Sequence, residues 1–160
     1  MPNYDRSFKP KVLLLTMQLD RSYTSGRELL CKLNHDALRE IYGERLVLFE
    51  LLPRNLHGVM SIFNAFKGHI DGLDEETMVR AQRIIQSENV GRVFVDGSNL
   101  GAFVKFLKKR LPQIEVTTFF HNVEARFFLG SLRQQKSLRA LAVLMVNYLA
   151  ERKSVMCSDN

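Results

Sequence analysis

Residues 92–124 read RVFVDGSNLGAFVKFLKKRLPQIEVTTFFHNVE and contain the clearest strand and helix signals of the chain. Two apolar runs, at 92–95 and 116–120, flank a segment at 100–110 whose apolar side chains recur at helical spacing. Both runs are continuous rather than alternating, which is typical of strands covered by helices on both faces. Three cations at 108–110, followed by Pro112, indicate where the helix ends. This stretch predicts a strand–helix–strand unit with parallel strands.

The same alternation extends over the rest of the 160 residues. Apolar runs at 12–16 and 46–52 predict two more strands, and 27–41 and 74–86 predict helices, whereas 61–70 fits a helix or a loop. A long helix is predicted at 131–152, with a core-facing stripe formed by Leu138, Leu141, Met145 and Leu149. We therefore predict an α/β fold, a Rossmann-like parallel sheet flanked by helices, in one domain.

Composition excludes several classes of protein. A hydrophobic fraction of 46% and a charged fraction of 25% are those of a folded globular chain rather than a disordered one. No apolar run is long enough to span a bilayer. The polar N-terminus, MPNYDRSFKPK, lacks the apolar centre of a signal peptide. These features together predict a cytoplasmic protein.

The net charge indicates an anionic partner but does not show which kind of anion it is. The chain has 23 Lys and Arg against 17 Asp and Glu, a net charge of +6, which attracts nucleic acid, anionic lipid or phosphorylated substrates. The basic segments lack the interleaved aromatic residues of single-stranded nucleic-acid binders, so a membrane surface is favoured over nucleic acid. Cys31 and Cys157 have no metal-ligand spacing, which predicts reduced structural thiols and no metal site.

Polar residues follow the predicted strands, where ligands bind in open parallel sheets. They are Ser25 and Gly26 after the first strand, Asp96 and Ser98 after the third, and His121, Asn122 and Glu124 after the fourth. These residues are the candidates for a site at this edge, His121 for catalysis and the others for substrate binding. His121 has a pKa near neutrality and can both donate and accept a proton, although it would equally suit a capped strand end.

Structural roles remain open for the other candidates. Gly26 allows close approach of an anion to a helix N-terminus, but a plain strand-to-helix turn fits it as well. Ser98 or Asn99 could cap the helix at 100–110, and Asn122 could cap the following helix, with Glu124 in its first turn.

The segments RVFVDGSNLG at 92–101 and EVTTFFHNVEARFF at 115–128, followed by a long helix that leads to Ser158-Asp159, resemble a known family. They are similar to the N-terminal domain of family-four glycosyltransferases with the GT-B fold. The resemblance is clear over 92–160 and faint before it. It implies retaining transfer of a hexosyl group from a nucleotide diphosphate sugar, with no metal and no cofactor beyond that donor substrate.

The resemblance also implies roles for residues and partners. His121 matches the histidine that faces the transferred sugar, and Gly26 matches the loop that approaches the donor diphosphate, although that loop has a single glycine here. Residues 1–160 would be the acceptor-side domain, inactive without the absent donor-binding domain. The expected partners are a nucleotide-sugar donor, a glycan or lipid-linked acceptor, the inner face of the membrane and a second copy of the chain. The implied pathway is bacterial cell-surface polysaccharide biosynthesis.

Two other classes of function compete with this hypothesis. A non-catalytic Rossmann-like module could bind an acidic ligand or a protein, and it would lack a second Rossmann-like segment after Asn160. A nucleic-acid-binding domain would show an affinity that falls steeply with salt, and no recognised motif supports it.

Overall fold

A computed structural model describes residues 9–19, 26–52 and 59–159. Four strands alternate with six helices along these residues. The strands are β1 (Lys11–Met17), β2 (Leu46–Leu51), β3 (Val90–Asp96) and β4 (Glu115–Phe119). The helices are α1 (Gly26–Tyr42), α2 (Val59–Lys67), α3 (Glu75–Ser87), α4 (Gly101–Arg110), α5 (Glu124–Gln135) and α6 (Leu138–Cys157). The four predicted strands are confirmed to within two residues at each end.

The sheet is parallel throughout, with the strand order β2-β1-β3-β4. The chain moves from β1 to β2 on one side and then returns to β3 on the other side of β1. Neighbouring strands β1 and β3 therefore form a topological switch point, where the connections leave in opposite directions. This arrangement confirms the predicted Rossmann-like α/β fold.

The core has one layer on each face of the sheet. Leu13 and Leu15 of β1 pack with α3 and α4 on one face, together with Val93 and Val95 of β3. Val12 and Leu14 point to the other face and pack with Leu38 of α1. Because successive side chains of a strand alternate between faces, the continuous apolar run of β1 is buried on both sides.

The predicted helix at 131–152 is wrong in its extent, because two helices occupy this region. Lys136 ends α5 in the left-handed conformation, with a φ of 43°. Ser137 then caps α6 by accepting a hydrogen bond from the Ala140 nitrogen at 3.1 Å. The break contains neither glycine nor proline, and its weaker signals are Arg133 in the last turn of α5 and Ser137 as the N-cap of α6.

The predicted core-facing stripe of this helix is wrong at three of its four residues, and the fourth, Leu149, is half-buried. Leu138 is 86% exposed, Leu141 43% and Met145 41%. The buried face of α6 instead carries small and polar residues, namely Ala140, Val146, Ala150, Glu151 and Ser154. Small side chains let α6 approach α4 and the turn before it, since Gly101 lies directly against the Ala150 carbonyl oxygen.

The outer edge of β4 is paired at one position by Asp159, the second residue after α6. The Asp159 nitrogen donates to the Val116 carbonyl oxygen at 2.8 Å, and the Val116 nitrogen donates to the Asp159 carboxylate at 2.8 Å. In the described part of the chain, no helix is both long and apolar enough to cross a membrane.

Candidate functional site

Polar side chains from three neighbouring strands meet at the carboxyl edge of the sheet. Asp96 is the last residue of β3 and is fully buried. Thr16, near the end of β1, donates a hydrogen bond to its Oδ2 at 2.8 Å. His121 follows β4 by two residues and reaches the same carboxylate. These residues lie at the β1/β3 switch point, where open α/β sheets bind their ligands.

The centre of this site is an ion pair between His121 and Asp96. His121 Nε2 lies 2.9 Å from Asp96 Oδ1, and the His121 side chain is only 8% exposed. Asn34 of α1 donates to the same oxygen at 2.9 Å. Cys31, one turn earlier in α1, places its Sγ 3.8 Å from His121 Nε2. The carboxylate thus fixes the imidazole ring against β1, β3 and α1.

The pair determines the charge of the ring. Hydrogen bonds from the imidazole to Asp96 and to Cys31 raise the pKa of His121 to about 9, against the opposing effect of burial. Burial by itself would raise the pKa of Asp96, but the hydrogen bonds from His121, Thr16 and Asn34 outweigh it and lower that pKa. At neutral pH, therefore, His121 is an imidazolium that donates from Nε2 to Asp96 and has a second N–H at Nδ1.

Cys31, Asp96 and His121 also have the residue types of a cation site. Each offers one ligand atom, and the three atoms lie within 4.8 Å of one another. The 2.9 Å contact between Nε2 and Oδ1 is a charge-assisted hydrogen bond that satisfies both groups. The contacts of His121 with Asp96 and with Cys31 are enough to explain why the three side chains lie close together.

A second polar group ties three segments together beside this pair. Arg27, in the first turn of α1, donates from Nη2 to Asp71 Oδ2 at 2.8 Å and to Asn99 Oδ1 at 3.2 Å. Asn99 in turn donates to Asp71 Oδ2 at 2.7 Å. Burial alone would lower the pKa of Arg27, but the Asp71 carboxylate raises it. The group fixes the start of α1 against the segment before α3 and the turn after β3.

This group lines a cleft of about 360 Å³ together with Glu124, at the start of α5. The rest of the lining comes mainly from α2, α5 and α6 and is mostly apolar, but it includes the polar side chains of Ser61, Arg139 and Asn147. No hydrogen bond joins the Glu124 carboxylate to another described residue. Burial raises its pKa, and the charges of Glu151 and Asp71 add to that effect, whereas Arg27 and His121 oppose it.

The predicted site residues fall into three groups in the structure. Asp96 and His121 are in direct contact, and Glu124 lies in the adjoining cleft. Gly26 begins α1 and has open space where a Cβ would stand, while Asn122 is exposed. Ser98 is buried and faces α6, so the structure places it apart from the cleft. Ser25 lies outside the described residues.

The predicted capping roles of Ser98, Asn99 and Asn122 are wrong. Neither α4 nor α5 has a side-chain cap at its N-cap residue, which is Leu100 for α4 and Val123 for α5. A distant carboxylate replaces the cap of α5. Buried Glu151 of α6 accepts hydrogen bonds from the Glu124 nitrogen at 2.6 Å and the Ala125 nitrogen at 3.0 Å.

Replacing Glu151 with alanine should lower the free energy of unfolding by about 2 kcal/mol, because three donors lose a charged acceptor. Urea unfolding measures the change. Glu40→Ala is the matched control, since Glu40 is an exposed carboxylate on α1. An equal loss in both variants would contradict the capping role of Glu151.

Sequence reasoning missed Arg27, Cys31, Asn34 and Asp71. One signal was present for two of them: Cys31 and Asn34 are three residues apart, so they share a face of α1. A polar residue and a thiol on the helix that follows β1 therefore point to the same edge as Asp96. Asp71 gave no signal in the sequence, because its partner Arg27 lies in a distant segment. Its backbone φ of 51° was not indicated by the sequence either.

No protein-family model matches the chain, and neither a curated protein nor a solved structure matches it.

Proposed function

We propose that this chain is the acceptor-side, N-terminal domain of a retaining, nucleotide-sugar-dependent glycosyltransferase with the GT-B fold. The observation that carries the proposal is the buried Asp96–His121 pair at the switch point of a parallel sheet. A histidine in this place matches the resemblance of residues 115–128 to that family. A cleft lined by Arg27, Asp71, Asn99 and Glu124, but by neither Asp96 nor His121, provides room for a substrate near this edge of the sheet.

In this reaction His121 orients and polarises the transferred sugar. Its ring is held by Asp96 through Nε2, so that the imidazolium offers its Nδ1–H to a sugar hydroxyl group. A pKa of about 9 keeps this donor charged at neutral pH. Asp96 does not reach substrate in this arrangement, because it is fully buried and acts by positioning the ring.

A membrane contact is part of the same proposal. Exposed apolar side chains and exposed cations both occur on α2, α5 and α6, and Lys67 lies over the Phe63 ring. The apolar residues are Phe63, Phe66, Phe127, Leu138 and Leu141, and the cations are Lys67, Arg126, Arg133 and Arg139. Apolar side chains mixed with cations suit the surface of a bilayer that contains anionic lipid.

The test of the enzymatic proposal measures nucleoside diphosphate release from UDP-glucose, UDP-N-acetylglucosamine and GDP-mannose by the full gene product. We expect turnover of one donor, and a loss of kcat of at least about a hundredfold in His121→Ala, because a preorganised charged donor is removed. His35→Ala is the control, since His35 pairs with Asp36 on α1. A folded protein that neither binds nor turns over any donor would contradict the enzymatic proposal and favour a non-catalytic binding module.

A further inference from the structure

The side chains of Cys31, Asp96 and His121 form a compact set of metal-ligand atoms. His121 Nε2 lies 2.9 Å from Asp96 Oδ1 and 3.8 Å from Cys31 Sγ, and the three atoms lie within 4.8 Å of one another. They come from α1, from the end of β3 and from the loop after β4. Thiolate, imidazole and carboxylate are the ligand types that zinc takes in proteins. The set therefore has the chemistry of a zinc site with three protein ligands.

The distances between these atoms fit tetrahedral coordination. Bonds of about 2.0 Å to nitrogen and oxygen and about 2.3 Å to sulfur place the ligand atoms of tetrahedral zinc roughly 3.3 to 3.6 Å apart. The two measured separations, 2.9 Å and 3.8 Å, lie on either side of this range and within about half an ångström of it. A metal ion thus requires only a small shift of the His121 ring.

The protein holds the ligand atoms in place before any metal binds. Thr16 donates to Asp96 Oδ2 at 2.8 Å, and Asn34 donates to Asp96 Oδ1 at 2.9 Å. Hydrogen bonds of this kind orient a ligating carboxylate and raise the affinity for metal. Asp96 and Cys31 are both buried, so packing also limits their side-chain conformations. Little ordering is therefore left for the metal to do.

The three ligand types select a soft or borderline divalent cation. Sulfur and imidazole nitrogen are good ligands for Zn²⁺ and Co²⁺, whereas Mg²⁺ and Ca²⁺ prefer six or more oxygen ligands. Asp96 supplies the one carboxylate of this set. Three protein ligands leave one position of the tetrahedron for a water molecule, as in open zinc sites.

Charge balance allows zinc to replace protons at this buried position. In the metal-free state, the His121 imidazolium and the Asp96 carboxylate cancel each other beside a neutral thiol. Binding of Zn²⁺ releases one proton from His121 and one from Cys31, because metal ligands must be deprotonated. The zinc complex, with a thiolate, a carboxylate and a neutral imidazole, again has no net charge. Neither state therefore has to bury an uncompensated charge.

We propose that Cys31, Asp96 and His121 bind one Zn²⁺ ion, and that this zinc inhibits the reaction assigned to His121. Coordination through Nε2 removes the imidazolium that the proposed reaction uses, so zinc and that reaction exclude each other. The inhibition rests on the proposed function, whereas zinc binding by these three residues does not.

The experiment titrates the reduced chain with Co²⁺, whose absorption spectrum reports its ligands, and then adds Zn²⁺. We expect one equivalent of Co²⁺ to bind, with a thiolate-to-cobalt charge-transfer band in the near ultraviolet and the visible bands of tetrahedral coordination. Zn²⁺ should displace it, because such sites bind zinc more tightly than cobalt. Excess Mg²⁺ should leave the spectrum unchanged.

Cys31→Ser tests the thiolate ligand, and Cys157→Ser is its matched control. Cys157 is the half-buried thiol of α6 and is not part of the cluster. Cys31→Ser should abolish the charge-transfer band and weaken zinc binding at least about a hundredfold, because loss of a ligand exceeds the loss of an outer-shell partner. Cys157→Ser should change neither.

His121→Ala is a second test, made on the ligand that lies nearest to solvent, with His35→Ala as its control. It should also weaken zinc binding at least about a hundredfold and leave a folded chain, which circular dichroism measures. His35→Ala should bind zinc as the wild type does.

Three results would overturn the zinc site. They are a cobalt spectrum without a thiolate band, wild-type zinc affinity in folded Cys31→Ser or His121→Ala, and an equal loss of affinity in Cys157→Ser.

These measurements use no nucleotide sugar, so they separate the zinc site from the enzymatic proposal. In the donor-turnover assay, one equivalent of Zn²⁺ should abolish activity, and a chelator should restore it. Turnover that bound zinc leaves unchanged would overturn the inhibition alone. Zinc binding without turnover of any donor would support the zinc site and overturn the enzymatic proposal.

Discussion

Gly101→Ala is expected to lower the free energy of unfolding by about 3 kcal/mol, which corresponds to a fall in Tm of roughly 10 °C for a chain of this size. The added Cβ would overlap the Ala150 carbonyl oxygen and lie 2.7 Å from the Ser154 nitrogen. Both atoms belong to the backbone of α6, which cannot move aside as a flexible side chain can. Relief requires α4 and α6 to separate, and that opens the buried core behind them.

The control for this prediction is Gly130→Ala in α5. Gly130 is also helical, but nothing lies within 4 Å of the position of its Cβ. Alanine there should stabilise the chain by about 1 kcal/mol, because glycine is the poorer helix former. Urea and thermal unfolding of both variants measure the contrast. Stabilisation in both would mean that α6 does not pack on Gly101 as described.

Asp96→Asn is expected to cost about 3 kcal/mol of stability at pH 6 and progressively less as the pH rises. The hydrogen bond to Asp96 is the largest of the causes that raise the pKa of His121 from 6.5 to about 9, with Cys31 second, and a shift of that size corresponds to about 3 kcal/mol. Asparagine keeps the shape of the side chain but removes the charge that holds the imidazolium. Without it, burial of His121 opposes its protonation.

The direction of the pH dependence follows from the raised pKa. The folded state binds the His121 proton more tightly than the unfolded state, whose pKa is near 6.5. The stabilisation is therefore fully present below pH 6.5 and is lost as the pH rises through about 9. The lowered pKa of Asp96 affects stability at acidic pH. Its contribution to the free energy of unfolding is lost as the pH falls below 3.8.

Urea unfolding of the wild type and of Asp96→Asn between pH 6 and pH 10 measures this difference. Asp36→Asn is the matched control, because Asp36 lies 3.0 Å from His35 on α1 and is exposed. It should leave the slope of stability against pH unchanged. If Asp96→Asn has the same slope as the wild type, the His121 proton does not stabilise the fold, and the ion pair would lose its assigned role.

Local sequence patterns were sufficient for the strands and for the class of the fold. The apolar run of β1 is buried on both faces of the sheet. A short, continuous apolar run in a globular chain is typical of a strand covered by helices on both sides. Helices between these runs leave parallel strands as the simplest arrangement. The location of a site after β3 and β4 follows in turn, because all parallel strands end at the same edge.

The boundaries and faces of the last two helices did not follow from the pattern. Leu138, Leu141 and Met145 recur at helical spacing, which normally marks the buried face, yet these residues are exposed. Close packing against Gly101 selects the small face of α6 instead. A hydrophobic pattern cannot show this, because it does not report how closely two helices approach.

By itself, the sequence determined the parallel α/β class, the four strands and the position of Asp96 and His121 at one edge, since these depend on residues near each other in the chain. Only the tertiary structure brought Asn34 and Cys31 to that pair, Asp71 to Arg27, and Glu151 to the start of α5. These contacts join residues 26 to 90 positions apart. The charge and orientation of His121 depend on them, because a pKa is set by neighbours in space rather than by neighbours in sequence.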